Sequence, residues 1–96
     1  MLQKMKAEIE LLTRHVLVVR AVQGNQPIGI MKLSELLDLP FHRIRYSLRV
    51  LEQLGYIQAT PAGAIVTPMT EEFLKNLDRD LDELIALLAS MKQKKR

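Results

Sequence analysis

The chain contains no cysteine, which excludes disulfide bonds, thiolate metal sites and cysteine nucleophiles together. It also lacks a long apolar run, since the longest, residues 84–89, is far shorter than the roughly 20 residues that cross a bilayer. Nothing at the N-terminus resembles a signal peptide. We therefore expect a cytoplasmic protein that has no membrane partner.

Recognisable catalytic patterns are also missing. The sequence has no Ser-His-Asp spacing, no phosphate-binding loop and no paired-carboxylate signature. Two histidines without any cysteine make a poor zinc site. We interpret His15, which lies in an apolar stretch, as a packed or interface histidine. The chain is accordingly predicted to be no enzyme, with no catalytic residue, metal ligand or cofactor.

The charge of the chain is unevenly distributed. Its 96 residues, 48% of them hydrophobic, are typical of one globular domain, and the net charge is +3. Residues 39–66 contain three arginines and one acidic residue, whereas residues 67–83 contain six acidic residues and two basic ones. Residues 93–96 form a basic tail. This distribution predicts that the middle of the chain and the tail face a polyanion.

Apolar periodicity predicts a first helix over residues 1–23. Its stripe repeats at alternating three- and four-residue steps through Leu2, Met5, Ile9, Leu12, Val16 and Val19. Gly24 and Pro27 end the helix, and residues 28–31 suggest a short edge strand. Ser34 is a suitable N-cap for a second helix, which Leu36 and Leu37 would bury.

Residues 28–67 predict a winged helix-turn-helix. Pro40 suits the first turn of a third helix. An inward stripe is predicted for Phe41, Ile44, Leu48, Leu51 and Leu54, and an outward face for His42, Arg43, Arg45, Tyr46, Arg49 and Gln53. Gly55 ends this helix, and residues 56–59 and 64–67 are the arms of a hairpin. In such an arrangement the second helix of the pair enters the DNA major groove. The alternative is a solvated helix face, on which Arg49 would pair with Glu52.

The last helix, predicted over residues 68–92, carries a heptad seam. At 1.5 Å per residue such a helix is roughly 35 Å long, while a globule of this size has a radius of gyration of about 13 Å. Part of its apolar stripe therefore needs a partner. We expect a homodimer with coiled-coil character, in which the last helices pack antiparallel or against the partner's first helix, through Leu74, Leu77, Leu81, Leu84, Leu88 and Met91.

The run KLSELLDLPFHRIRYSLRVLEQLGYI, with TPAG and VTPMTEEFL after it, resembles small prokaryotic winged helix-turn-helix transcriptional regulators. It is most similar to MarR- and PadR-like proteins and their archaeal counterparts, over residues 30–74. The resemblance implies a mainly α fold with a small β-hairpin, flanked by long N- and C-terminal dimerisation helices. It also implies double-stranded DNA as the partner, contacted by Phe41, His42, Arg43, Arg45, Tyr46 and Arg49. The wing departs from the pattern, because residues 58–66 contain no Lys or Arg, which weakens the expectation of minor-groove contact.

Two functions from different classes remain open at the level of sequence. The first, which is our leading hypothesis, is a homodimeric, sequence-specific DNA-binding protein that regulates transcription. The second is a winged-helix module that docks on another protein of the transcription or chromatin machinery. The neutral wing and the acidic last helix favour the second function, whereas the arginine-rich third helix favours the first.

Overall fold

A computed structural model describes residues 1–94 of the chain. Its elements follow in the order α1 (Leu2–Asn25), α2 (Ile30–Leu37), α3 (Phe41–Gln53), β1 (Ile57–Thr60), β2 (Gly63–Val66) and α4 (Pro68–Ala89). The two strands form one antiparallel hairpin. A mainly helical chain with a small β-hairpin, as predicted, is therefore confirmed.

The core forms where α1, α2 and α3 meet the hairpin. Its buried side chains are Val18, Val19 and Val22 of α1, Leu33 of α2, Ile44 and Leu51 of α3, and Ile28 and Ile57 beside the hairpin. Each such side chain contributes roughly 1.5–3 kcal/mol by leaving water. The core thus uses only the C-terminal half of α1, where the apolar residues are densest.

The start of α2 differs from the prediction. Residues 28–31 do not form an edge strand: Ile28 makes one isolated bridge to Ala64, and the helix begins at Ile30. Gly29 is the N-cap, and its carbonyl accepts a hydrogen bond from the Leu33 amide at 3.1 Å. Ser34 is therefore not a cap. It lies within the helix, and its hydroxyl donates to the Leu39 carbonyl at 2.5 Å.

Exposure corrects three further predictions. Leu36, expected to be buried, is 54% exposed on α2. On α3, Phe41 and Leu54 were assigned to the inward stripe, but they are 47% and 57% exposed. Ser47 is fully buried in their place. Because it follows Ile44 by three residues and precedes Leu51 by four, it lies on the same arc of the helix as the core.

The hairpin is attached to the body of the molecule by backbone hydrogen bonds. The Ile28 amide donates to the Ala64 carbonyl at 3.1 Å, and the Ala64 amide donates to the Ile28 carbonyl at 2.8 Å. Gly63, at the start of β2, has a φ of 132° and lies directly against Ile28. The register of the hairpin runs from the pair Ile57–Val66 to the pair Thr60–Gly63. Each strand therefore begins and ends one residue away from its predicted position.

Helix α4 is fixed at its N-terminal end and extends beyond the core at the other. The Thr67 hydroxyl donates to the Gly55 carbonyl, and the Thr70 hydroxyl donates to the Tyr56 carbonyl, each at 2.6 Å. The Tyr56 and Phe73 rings lie 5.1 Å apart. The radius of gyration, 15.6 Å, exceeds the roughly 13 Å of a compact globule of this size. The molecule is elongated, with extents of 58 × 27 × 22 Å, and large apolar side chains near the start of α1 and the end of α4 are exposed.

Candidate nucleic-acid interface

The six side chains predicted to contact DNA all belong to α3, and all are exposed. They are Phe41, His42, Arg43, Arg45, Tyr46 and Arg49. The opposite side of the same helix supplies Ile44, Ser47 and Leu51 to the interior. The core therefore fixes which face of α3 is turned to solvent.

The arginines on this face have no carboxylate partner. Within residues 1–94 the one side-chain ion pair joins Arg79 and Asp80 of α4, at 3.4 Å. The pair of Arg49 with Glu52, considered from the sequence, does not form. Arg45 and Arg49, four residues apart, are like charges one helical turn from each other, which costs roughly 0.2–0.5 kcal/mol and favours a bound anion.

Tyr46 is partly engaged by α1. Its ring stacks on the ring of His15, with centroids 6.1 Å apart and planes inclined by 28°. The guanidinium carbon of Arg14 lies 5.8 Å from the Tyr46 centroid, within the range of a cation–π contact. The ring therefore helps to pack α3 against α1, and 45% of the residue remains exposed beside the arginines.

Beneath Tyr46, the hydroxyl of buried Ser47 connects the two helices. Arg14 Nε–H donates to Ser47 Oγ at 3.1 Å, and Ser47 Oγ lies 2.8 Å from His15 Nδ1. Because Oγ has one proton and two lone pairs, it can accept from Arg14 and still share a hydrogen bond with His15 Nδ1 in either tautomer of the ring. Desolvation by burial, and next the positive charge of Arg14, lower the pKa of His15 below its usual 6.5. A neutral imidazole fits this arrangement, and the interpretation of His15 as a packed histidine is confirmed.

Sequence reasoning missed Arg14 and Ser47 as parts of this site. Ser47 could have been assigned to the inner face of α3 from its three- and four-residue spacing to the apolar residues there. A small polar residue on a buried face requires a hydrogen-bond partner. No comparable signal identifies Arg14, because its contacts depend on how α1 crosses α3.

The hairpin beside α3 has a neutral tip. Thr60 organises the turn: its hydroxyl donates to the Gly63 carbonyl at 2.6 Å and accepts from the Ala62 amide at 3.2 Å. Both positions that point to solvent at the tip, Pro61 and Ala62, are exposed and uncharged. The tip therefore presents backbone and small uncharged side chains to solvent, and no basic group.

The six positions predicted for a dimer interface do not share one environment. Leu77 is 4% exposed and so is unavailable to a second chain, while Leu74 packs against the core and Leu81 is half-buried. Leu84, Leu88 and Met91 are exposed. They line an apolar groove of about 380 Å³ together with Met5, Ile9 and Leu12 of α1. The free apolar surface is therefore built from the ends of two helices, and the heptad seam is internal at its start.

Residues 1–94 contain no cluster of three or more potential metal ligands. Over the same range, no helix has the length and apolar character needed to cross a membrane. Of the basic tail, Lys95 and Arg96 lie outside the described residues. No family model matches the sequence.

Proposed function

We propose that this chain is a winged helix-turn-helix protein that binds double-stranded DNA as a homodimer and regulates transcription. The observation that carries the proposal is the exposed surface of α3, where Arg43, Arg45 and Arg49 have no carboxylate partner among residues 1–94. The order of a short helix, a turn, a second helix and a hairpin supports it. In that order α3 is the helix that enters the major groove.

The three arginines have different roles in this proposal. Arg45 and Arg49 lie on the outer face of α3 and read base edges, because a guanidinium fork matches O6 and N7 of guanine. Arg43 lies nearer the start of the helix and the side of α1, where it holds a backbone phosphate. His42 and Tyr46 add hydrogen-bonding groups at the border of the same face.

The homodimer is supported by the apolar groove between the ends of α1 and α4. Leu84, Leu88 and Met91 are 49%, 41% and 69% exposed. Fully burying an exposed side chain of this size contributes roughly 1.5–3 kcal/mol, and because these three are already about half covered, a second copy that packs on the groove gains roughly half of that from each. A two-fold dimer would place its α3 helices in successive major grooves, about 34 Å apart, on an inverted repeat. Sedimentation of the wild-type chain at high micromolar concentration tests this part, and a monomer there would contradict it.

The decisive experiment for DNA binding compares the wild type with an Arg43→Ala, Arg45→Ala, Arg49→Ala triple variant. Binding to a mixed-sequence duplex is measured by fluorescence anisotropy at two salt concentrations. The wild type should bind, and its affinity should fall steeply with salt because phosphate contacts release counterions. The triple variant, once shown to fold and sediment like the wild type, should lose both the affinity and most of the salt dependence.

A matched control is Arg79→Ala on α4, which removes a cation from the acidic part of the chain. It should leave DNA affinity nearly unchanged. If the triple variant binds as the wild type does, α3 does not contact DNA and the proposal fails.

A second function, docking on another protein, is favoured by the uncharged hairpin tip and by the exposed carboxylates of Asp78, Asp80, Asp82 and Glu83. These groups would repel DNA and attract a basic protein surface. The anisotropy experiment separates the two functions, since a docking module of this kind would not bind the duplex in a salt-dependent way.

A further inference from the structure

A second cation, which belongs to α1, lies beside the side of α3 that faces that helix. Arg14 of α1 and Arg43 of α3 line the same surface cleft, which has a volume of about 550 Å³. Arg43 precedes Tyr46 by three residues and Ser47 by four, so the three are neighbours on α3, with Ser47 turned to the interior and Arg43 and Tyr46 exposed. The guanidinium of Arg14 contacts both Tyr46 and Ser47: its carbon lies near the Tyr46 ring, and its Nε–H donates to Ser47 Oγ.

Among residues 1–94, the contacts of Arg14 leave its two terminal nitrogens without a hydrogen-bond partner. Only Nε–H donates to Ser47, and the guanidinium carbon is held near the Tyr46 ring. No carboxylate oxygen within residues 1–94 lies within ion-pair distance of Arg14, although Glu10 lines the same cleft. A guanidinium held in this way loses less side-chain freedom when an anion binds than a freely moving one.

We infer that Arg14 and Arg43 together form a site for a phosphate group. Two guanidinium groups that line one cleft favour an anion there, and the planar fork of arginine suits two phosphate oxygens. The phosphate can be inorganic or part of a DNA backbone. For the DNA case the inference rests on the proposed function, and it adds a contact from α1 to those of α3.

The first test uses inorganic phosphate and does not depend on DNA. The Nε–H signals of ¹⁵N-labelled protein are followed by NMR while phosphate replaces chloride at constant ionic strength. The signals of Arg14 and Arg43 should shift together and saturate, whereas that of Arg20, an exposed arginine of the same helix, should not. Equal changes in the chemical shifts of all three Nε–H signals would refute the proposed phosphate site.

A Glu10→Gln variant tests the same site without disturbing the contacts of Arg14. Removing a carboxylate from the cleft should raise phosphate affinity about two- to fivefold, the size of a surface charge interaction. An unchanged or lower affinity would contradict the inference. Because Glu10 is exposed and makes no ion pair in the described chain, this variant should also keep the melting temperature of the wild type.

The second test uses DNA. An Arg14→Met variant should lower the slope of log K against log salt by about 0.9, the loss of one phosphate contact, and Arg14→Lys should restore it. Arg20→Met is the matched control and should leave the slope unchanged. If Arg14→Met weakens binding but keeps the slope, Arg14 only positions α3 and the DNA contact is refuted.

The outcomes separate this inference from the proposed function. If the Arg14 and Arg43 signals of the wild type shift with phosphate but the protein does not bind DNA, the phosphate site stands and the DNA-binding function is refuted. A wild type that binds DNA through α3, with no phosphate shift and no change of slope in Arg14→Met, keeps the function and refutes the site.

Discussion

Replacing Gly63 by alanine should destabilise the hairpin more than any other single methyl addition at a glycine of this chain. A Cβ at Gly63 would lie 2.7 Å from both the amide nitrogen and the carbonyl carbon of Ile28. Those neighbours are backbone atoms, which cannot rotate away. The φ of 132° is also one that an L side chain rarely adopts.

The expected cost follows from the contacts that must break. Backbone strain at such a position costs about 1–3 kcal/mol. Moving Ile28 away also weakens its two hydrogen bonds to Ala64, at 3.1 and 2.8 Å, each contributing about 1 kcal/mol. The Gly63→Ala variant should therefore lose about 3–5 kcal/mol of the free energy of unfolding. For a domain of this size, that lowers Tm by at least about 12 °C.

Thermal and urea unfolding, followed by circular dichroism, measure this loss. Gly24→Ala is the matched control, because a Cβ there meets no atom within 4 Å and Gly24 lies within α1. That variant should be more stable by up to about 1 kcal/mol, through the higher helix propensity of alanine. A loss below about 1 kcal/mol in Gly63→Ala would refute the argument, as would equal losses in the two variants.

Three further outcomes are expected. Folding lowers the pKa of His15, so its contribution to stability is present above the unfolded value of about 6.5 and is lost as the pH falls below that value. Between pH 7.5 and 5.5, the Tm of a His15→Gln variant should therefore fall less than the Tm of the wild type. An equal fall would refute this role of His15. Leu88→Asp, at an exposed position of the groove, should shift sedimentation from dimer to monomer with little change in the circular dichroism spectrum. A dimer of unchanged stability would show that the groove is not the interface. Thr60→Ala should lower stability by about 1–2 kcal/mol through its two turn hydrogen bonds and leave DNA affinity nearly unchanged, whereas a large affinity loss would show that the hairpin reads DNA.

The sequence predicts the coarse fold well because the signals for it are local. Apolar spacing identifies the helices, and Gly55 marks where α3 gives way to the hairpin. The start of α2 was missed for a physical reason. Gly29 caps the helix with its backbone alone, while Ser34, which has the side chain that cap rules favour, lies inside the helix.

The candidate site was predictable only in part. Spacing on α3 gives the exposed arginines, because one helix determines their relative positions. It does not give Arg14, whose place depends on how two helices cross. In the same way, a heptad identifies the apolar side of α4 but not where the core ends along it. Leu77 and Leu84 occupy equivalent positions in the repeat, yet one is buried and the other exposed.

The continuity of α1 has a mechanical consequence. The helix is anchored at Val18 and Val19 in the core, and its exposed end at Leu2 lies about 24 Å away along the axis. A movement of about 2 Å at that end is thus a rotation of about 5° at the anchor. Arg14 lies between the two points and contacts α3 directly. A displacement at the far end of α1 would therefore reach the Arg14 contacts with α3 along one continuous helix, with no break between them.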